Sequence, residues 1–93
     1  MAEEVSPLGA TDRAVLEGLA SRAGTVVSRT ALRRLAQIFD LSERRCEASI
    51  GVIRRALGDE AIRTVRSRGW MLQAEYLDQA VALLDSDAHL QDR

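Results

Sequence analysis

The segment SERRCEASIGVIRRAL, residues 42–57, carries the residues whose types and spacing most favour a defined interaction. Its apolar residues share one face at about 100° per residue, with the spacing of a buried helix surface: Cys46, Ile50, Ile53 and Leu57. The opposite face combines arginines with small or apolar residues: Arg44, Arg45, Ala48, Gly51, Val52 and Arg55. Small side chains let a helix approach an anionic surface closely, while guanidinium groups bind guanine or phosphate. The pattern therefore favours a helix that enters the major groove of DNA.

Other interpretations of this face remain open at the level of the sequence. The arginines could form a solvated surface with ion pairs to Glu43 and Glu47. Val52 suits a contact with a thymine methyl group and equally suits packing on a neighbouring element. Arg54 lies at the edge of the buried face, where a structural salt bridge and a phosphate contact are both reasonable. Ser42 is predicted to cap the helix, and Gly58 to end it in the left-handed conformation.

Composition limits the class of protein. The 93 residues suffice for one small domain, and 46% hydrophobic with 29% charged residues indicates a globular chain. One cysteine and one histidine predict neither an internal disulfide nor a metal site, and Cys46 on the apolar face is expected to be a small buried residue. No apolar run approaches the roughly 18 residues of a membrane span, and the N-terminus lacks a signal-peptide core. We therefore expect a cytoplasmic protein without a cofactor, and nothing in the sequence combines a nucleophile with a base, so no enzyme is predicted.

The net charge of −1 conceals a marked segregation of charge along the chain. Residues 12–68 contain 12 arginines against seven acidic residues, whereas residues 69–93 contain one arginine against five acidic residues. A basic middle between acidic ends is typical of a protein that turns one face toward a polyanion.

The first part of the chain predicts one helix between two less regular segments. Residues 1–10 are expected to be a flexible lead-in or a short strand around Val5. Thr11 is a suitable N-cap for the helix, which Gly24 should end. Residues 25–27 are short and β-branched, and are predicted to be extended.

A second helix should begin at Ser28 and stop near Asp40. Its apolar stripe is predicted from helical spacing: Leu32, Leu35, Ala36 and Phe39. Residues 40–42 then form a tight turn into the arginine-bearing helix, so that the two helices make a helix-turn-helix.

A β-hairpin and a last helix are predicted after Gly58. Residues 62–65 and 70–72 are expected to pair as strands around a turn that carries Arg66 and Arg68. These arginines suit a DNA backbone or a narrow minor groove, although an exposed charged tip would have the same sequence. From about residue 73 to residue 85 the pattern is helical, with one apolar stripe: Leu77, Ala80, Val81 and Leu84. Residues 86–93 are expected to be frayed.

The order of these elements and three motifs resemble the C-terminal effector domain of OmpR/PhoB-type response regulators, a winged helix-turn-helix. IRTVRSRGW, residues 62–70, resembles that family's wing, I-x-T-V-R-G-x-G-Y. GTVVSR, residues 24–29, with Leu32, is similar to its G-x-V-V-S-R-x-x-L. Six residues of the long helix occupy the places of R-x-V-D-x-H-I-x-x-L-R-x-x-L: Arg44, Glu47, Ile50, Ile53, Arg54 and Leu57.

The resemblance implies a winged helix-turn-helix at residues 11–72. With the C-terminal helix and frayed tail predicted at residues 73–93, the expected fold is mainly α with a small β-hairpin. The resemblance also implies a bacterial, sequence-specific DNA-binding transcriptional regulator, with recognition helix 42–57 in the major groove and wing 62–72 on the adjacent backbone or minor groove. The predicted DNA-binding residues are Arg44, Arg45, Ala48, Val52, Arg55, Thr64, Arg66 and Arg68. The expected partner of this chain is double-stranded DNA. A protein partner, either RNA polymerase or a regulatory protein, is also expected. The competing interpretation is a winged-helix protein–protein interaction module without DNA binding.

The chain departs from the family pattern at several places. Val52 stands where the family often has a base-reading arginine, and Ser49 where it frequently has a histidine. Residues 1–10 are too short for the family's N-terminal sheet, so one flank of the first helix should need another cover. The C-terminal helix could provide it by folding back, or could pair with a second copy in a homodimer. No receiver domain accompanies these residues, so phosphorylation of such a domain is not expected to control this chain by itself.

Overall fold

The computed structural model describes residues 8–91 and the side chains as far as Ser86. The first three helices are α1, Ala10–Ala20, α2, Arg29–Ala36, and α3, Glu43–Leu57. The hairpin of β1, Ile62–Val65, and β2, Gly69–Leu72, follows. A 3₁₀ turn, Ala74–Tyr76, leads into α4, Leu77–Gln91. The fold is mainly α with a small β-hairpin, a winged helix-turn-helix with an additional C-terminal helix, as predicted.

The start of α1 differs from the prediction. Gly9, not Thr11, is the N-cap, and its backbone N–H donates to Oδ2 of Asp12 at 3.0 Å. A carboxylate in the first turn satisfies a backbone donor that the helix leaves unpaired. Leu8 is buried just before this cap, while the strand considered around Val5 lies outside the described residues. The helix ends at Ala20, earlier than Gly24 had suggested.

The end of α2 explains the main error in the predicted core. Ser28 caps this helix as predicted, since its Oγ accepts from the backbone N–H of Ala31 at 3.1 Å. Gln37 then adopts the left-handed conformation at φ 60° and ψ 40°, which stops the helix well before Asp40. The chain therefore turns so that Leu41 enters the core, while Phe39 is 96% exposed.

The long helix α3 begins where the sequence predicted. The Ser42 Oγ accepts from the backbone N–H of Arg45 at 3.1 Å. Gly58 ends the helix at φ 121° and ψ 149°, a positive φ that is not the predicted left-handed helical conformation. On the inner face Cys46 and Ile50 are fully buried, whereas Leu57 is only partly buried. Burial raises the pKa of the Cys46 thiol, which opposes thiolate chemistry at that position.

Helix α1 lies at the centre of the packing, in contact with α2, α3, α4 and β2. The core is aliphatic. Its largest fully buried hydrophobic side chains come from α1, α2, α3, both strands and the loop before α3: Val15, Leu16, Leu19, Leu32, Leu41, Ile50, Ile53, Ile62 and Leu72.

Helix α4 folds back on α1 of the same chain. Ala80 is fully buried there, and Leu77 and Leu84 are partly buried. Val81, a member of the predicted stripe, is 44% exposed. The helix continues to Gln91, beyond the end near residue 85 that the sequence pattern indicated, and fraying after residue 86 stays a prediction. No helix in the described part of the chain is long and apolar enough to span a membrane.

The wing is joined to the segment before α2. In the hairpin Ile62 pairs with Leu72, and Val65 pairs with Gly69. Val27 forms a bridge to Trp70, in which the two residues exchange backbone hydrogen bonds of 2.7 and 3.0 Å. The extended segment predicted at residues 25–27 is therefore what anchors the hairpin to the helical core.

Candidate nucleic-acid interface

The outer face of α3 lies on the surface, as its residue pattern predicted. Arg44, Arg45, Ala48 and Arg55 are exposed, and Gly51 and Val52 are partly buried. Within the described residues the side chains of Arg44 and Arg55 make no hydrogen bond or ion pair, since the ion pair found there joins Arg13 and Glu17. The ion pairs with Glu43 and Glu47 that the sequence left open are therefore not formed, and the two guanidinium groups remain open to a ligand.

Arg45 is oriented differently from the other two arginines of this face. Its Nη2 donates to Oγ1 of Thr11 at 3.1 Å, which turns the side chain toward the start of α1. Beside it, Ser49 is only 1% exposed, and its Oγ donates to Oδ1 of Asp12 at 2.7 Å. Ser49 therefore connects α3 to α1 and does not belong to the exposed face. The sequence did not reveal this link, because Thr11 and Asp12 are far from α3 along the chain.

The centre of the face has few polar groups. Ala48 is exposed, and Val52 packs partly against the core while part of its side chain remains accessible. Packing of Val52 on a neighbouring element is therefore found in part, and its contact with a thymine methyl group stays a prediction. A Cβ atom built on Gly51 would meet only Nη1 of Arg55, at 3.9 Å, which is an ordinary van der Waals distance. Nothing in the described structure requires glycine there.

Arg54 fixes the wing relative to α3. Its Nε and Nη2 donate to the backbone oxygen of Ile62 at 3.1 and 2.7 Å, and Nη2 also donates to Oγ1 of Thr64 at 3.0 Å. The sequence had left Arg54 open between a salt bridge and a phosphate contact, whereas the structure gives it hydrogen bonds to the wing. Thr64, a predicted DNA-binding residue, is exposed but already accepts this bond.

The tip of the wing is exposed and basic. Arg66, Ser67 and Arg68 all lie on the surface between the two strands. Ser67 has φ 65°, a conformation that favours glycine. Together with α3, the tip gives the molecule two arginine-bearing elements, and the hydrogen bonds of Arg54 connect α3 to the wing.

A family model described as "Transcriptional regulatory protein, C terminal" matches residues 3–72 of this chain. The chain belongs to this family. The matched residues include α1 to α3 and the hairpin, and stop where the 3₁₀ turn and α4 begin. No curated protein and no solved structure matches the chain.

Membership of this family makes the chain a regulatory DNA-binding domain of the OmpR/PhoB type.

Proposed function

We propose that this domain binds double-stranded DNA sequence-specifically, with α3 in the major groove and the wing on the adjacent backbone or minor groove. The observation that carries the proposal is the exposed face of α3. It presents Arg44 and Arg55 without partners among the described residues, at the two ends of a surface of small side chains. A helix in the major groove needs both features, close approach in its middle and cations that reach the DNA.

The remaining predicted residues take secondary roles in this proposal. Arg66 and Arg68 contact the backbone or a narrow minor groove from the wing tip. Arg45, held by Thr11, contacts a phosphate on the α1 side, and Thr64 lies at the edge of the contact. Residues 11–72 form the DNA-binding unit, and α4 supports it by covering α1.

Sequence specificity is tested by selection. The protein is mixed with pooled genomic fragments, the retained fragments are sequenced, and the affinity for the recovered site is compared with that for a shuffled site. We expect the recovered site to bind at least about 10³-fold more tightly, as specific protein–DNA complexes generally do. Equal affinity for both would limit the function to non-specific binding.

A second surface favours a protein partner in addition to DNA. Phe39 is 96% exposed beside Ile38, at a concave surface that also includes Arg33 and Arg34. A nearly fully exposed aromatic side chain in a polar rim is typical of an interaction site. We propose that an acidic surface of RNA polymerase binds this Phe39 surface, which consists of Arg33, Arg34, Ile38 and Phe39, while α3 is on DNA.

The Phe39→Ser variant tests this contact. Because Phe39 makes almost no contribution to the core, the variant should fold and bind DNA like the wild type. In transcription with purified polymerase, it should lose most of the effect of the wild-type protein on transcript yield. Val81→Ser, which alters an exposed apolar residue on α4, is the matched control. An unchanged effect of Phe39→Ser on transcription would exclude the contact.

A further inference from the structure

The glycine in the middle of α3 has an energetic cost that the fold does not explain. Glycine inside a helix costs about 1 kcal/mol relative to alanine, because its backbone loses more conformational freedom on folding. At Gly51 the backbone is helical and a Cβ would meet only Nη1 of Arg55 at 3.9 Å. By contrast, a Cβ at Gly18 would lie 3.0 Å from a side-chain carbon of Leu32. Gly18 therefore serves internal packing, whereas Gly51 keeps space open toward a molecule outside the chain.

Gly51 is part of a continuous surface without side-chain hydrogen-bonding groups. Ala48, Gly51 and Val52 have the i, i+3, i+4 spacing that places residues side by side on a helix. Two of the arginines of α3 cannot contact a base at this surface without breaking hydrogen bonds. Arg45 donates to Thr11, and Arg54 donates to the wing.

The two arginines without partners lie at the ends of this surface. Arg44 and Arg55 are separated by eleven residues, which is about 16 Å along a helix axis. They also lie within about 20° of each other around the axis, at about 100° per residue. The unpartnered cations are therefore at the ends of the exposed face, and between them Ala48, Gly51 and Val52 offer the base pairs only methyl groups and backbone, with the exposed carboxylate of Glu47 at one edge.

The chemistry of the major groove then selects the base. Both base pairs present two acceptors and one donor there, and only the A·T pair adds an apolar group, the C5-methyl of thymine. A surface without donors or acceptors replaces the hydrogen bonds of neither pair, so the polar groups do not decide between them. Against a methyl group it gains apolar burial. Resting on the proposed binding of DNA by α3, we propose that Ala48, Gly51 and Val52 recognise thymine methyl groups, so that thymines specify the centre of the binding site.

Replacing thymine by deoxyuridine tests this recognition, because it removes the methyl group and leaves base pairing unchanged. The recovered site is synthesised with one thymine replaced at a time, and affinity is measured by fluorescence anisotropy. We expect a loss of about four-fold at each thymine beneath the Ala48–Val52 surface, which corresponds to one methyl group leaving an apolar contact. Thymines in the flanks, outside α3, serve as the matched control and should tolerate the replacement. In the Val52→Ala variant the loss should shrink.

The Gly51→Ala variant supplies a second readout that a structural role would not reproduce. It should raise the melting temperature by about 4 °C, since alanine is the better helix former and the space is open. At the same time its affinity for the recovered site should fall by at least about ten-fold, because the added methyl group prevents close approach.

The possible failures are distinguishable. If deoxyuridine is accepted at every position while the recovered site is still preferred over a shuffled one, thymine recognition is wrong and sequence-specific DNA binding stands. If Gly51→Ala keeps wild-type affinity, the close approach is wrong. If the protein binds no DNA at all, the proposed function itself fails, and thymine recognition fails with it.

Discussion

Replacing Gly69 with alanine is expected to lower the free energy of unfolding by at least about 3 kcal/mol. Gly69 has φ 142°, and an added Cβ would lie 2.1 Å from the backbone oxygen of Val27 and 2.9 Å from Cα of Ser28. The obstacle is backbone, so no side-chain rotation can relieve it. The chain cannot withdraw easily either, since the neighbouring Trp70 is held to Val27 by two backbone hydrogen bonds. The substitution should therefore separate the wing from the helical core.

The Ser67→Gly variant is the control for this experiment, because it changes the same hairpin in the opposite direction. Ser67 has φ 65°, which costs a residue with a Cβ about 1 kcal/mol. Glycine there should increase the free energy of unfolding by a similar amount. Urea denaturation followed by circular dichroism measures both variants. Wild-type stability for Gly69→Ala would mean that the wing does not pack on Val27 as described.

The second large effect is expected when Arg44 and Arg55 are both replaced with alanine. Each arginine contact with a base or phosphate is worth about 1–3 kcal/mol, so the double variant should bind the recovered site at least about 30-fold more weakly. Its stability should change by less than about 0.5 kcal/mol, because both side chains are exposed and have no partner among the described residues.

Removing the same charge elsewhere provides the control. Arg22, which follows α1, and Arg34, in the last turn of α2, are also exposed and do not belong to α3. Replacing both with alanine should reduce DNA affinity only slightly, through long-range electrostatics. An equal loss in the two double variants would mean that net charge, and not the face of α3, accounts for binding.

Signals that act over a few residues predicted much of this fold from the sequence. Ser28 and Ser42 cap their helices as expected, because a cap depends only on the residues that follow it. The hairpin also follows from alternation and turn residues within one short segment. The predicted end of α2 was wrong because Gln37 is an unusual residue for the left-handed conformation, so no signal in the sequence marked the turn there. The exposure of Phe39 follows from that single turn.

The exposed face of α3 was predictable for the same reason, since helical periodicity alone separates its inner residues from its outer ones. The hydrogen-bond partners of the individual arginines were not predictable from periodicity. Arg45 is bound by Thr11, and Arg54 by Ile62, and both contacts join segments that the sequence does not place together. Which arginines remain available to DNA therefore depends on tertiary structure, and periodicity treats all of them alike.

The salt dependence of DNA affinity tests most directly whether the domain binds DNA through these arginines. The association constant for the recovered site is measured by fluorescence anisotropy over a range of salt concentrations. If Arg44, Arg45, Arg55, Arg66 and Arg68 each neutralise one phosphate, the log–log slope should be about −4.5, and the Arg44→Ala, Arg55→Ala double variant should bring it to about −2.7. A slope near zero, or no binding to any fragment at low salt, would contradict the account and favour a winged-helix protein that binds only other proteins.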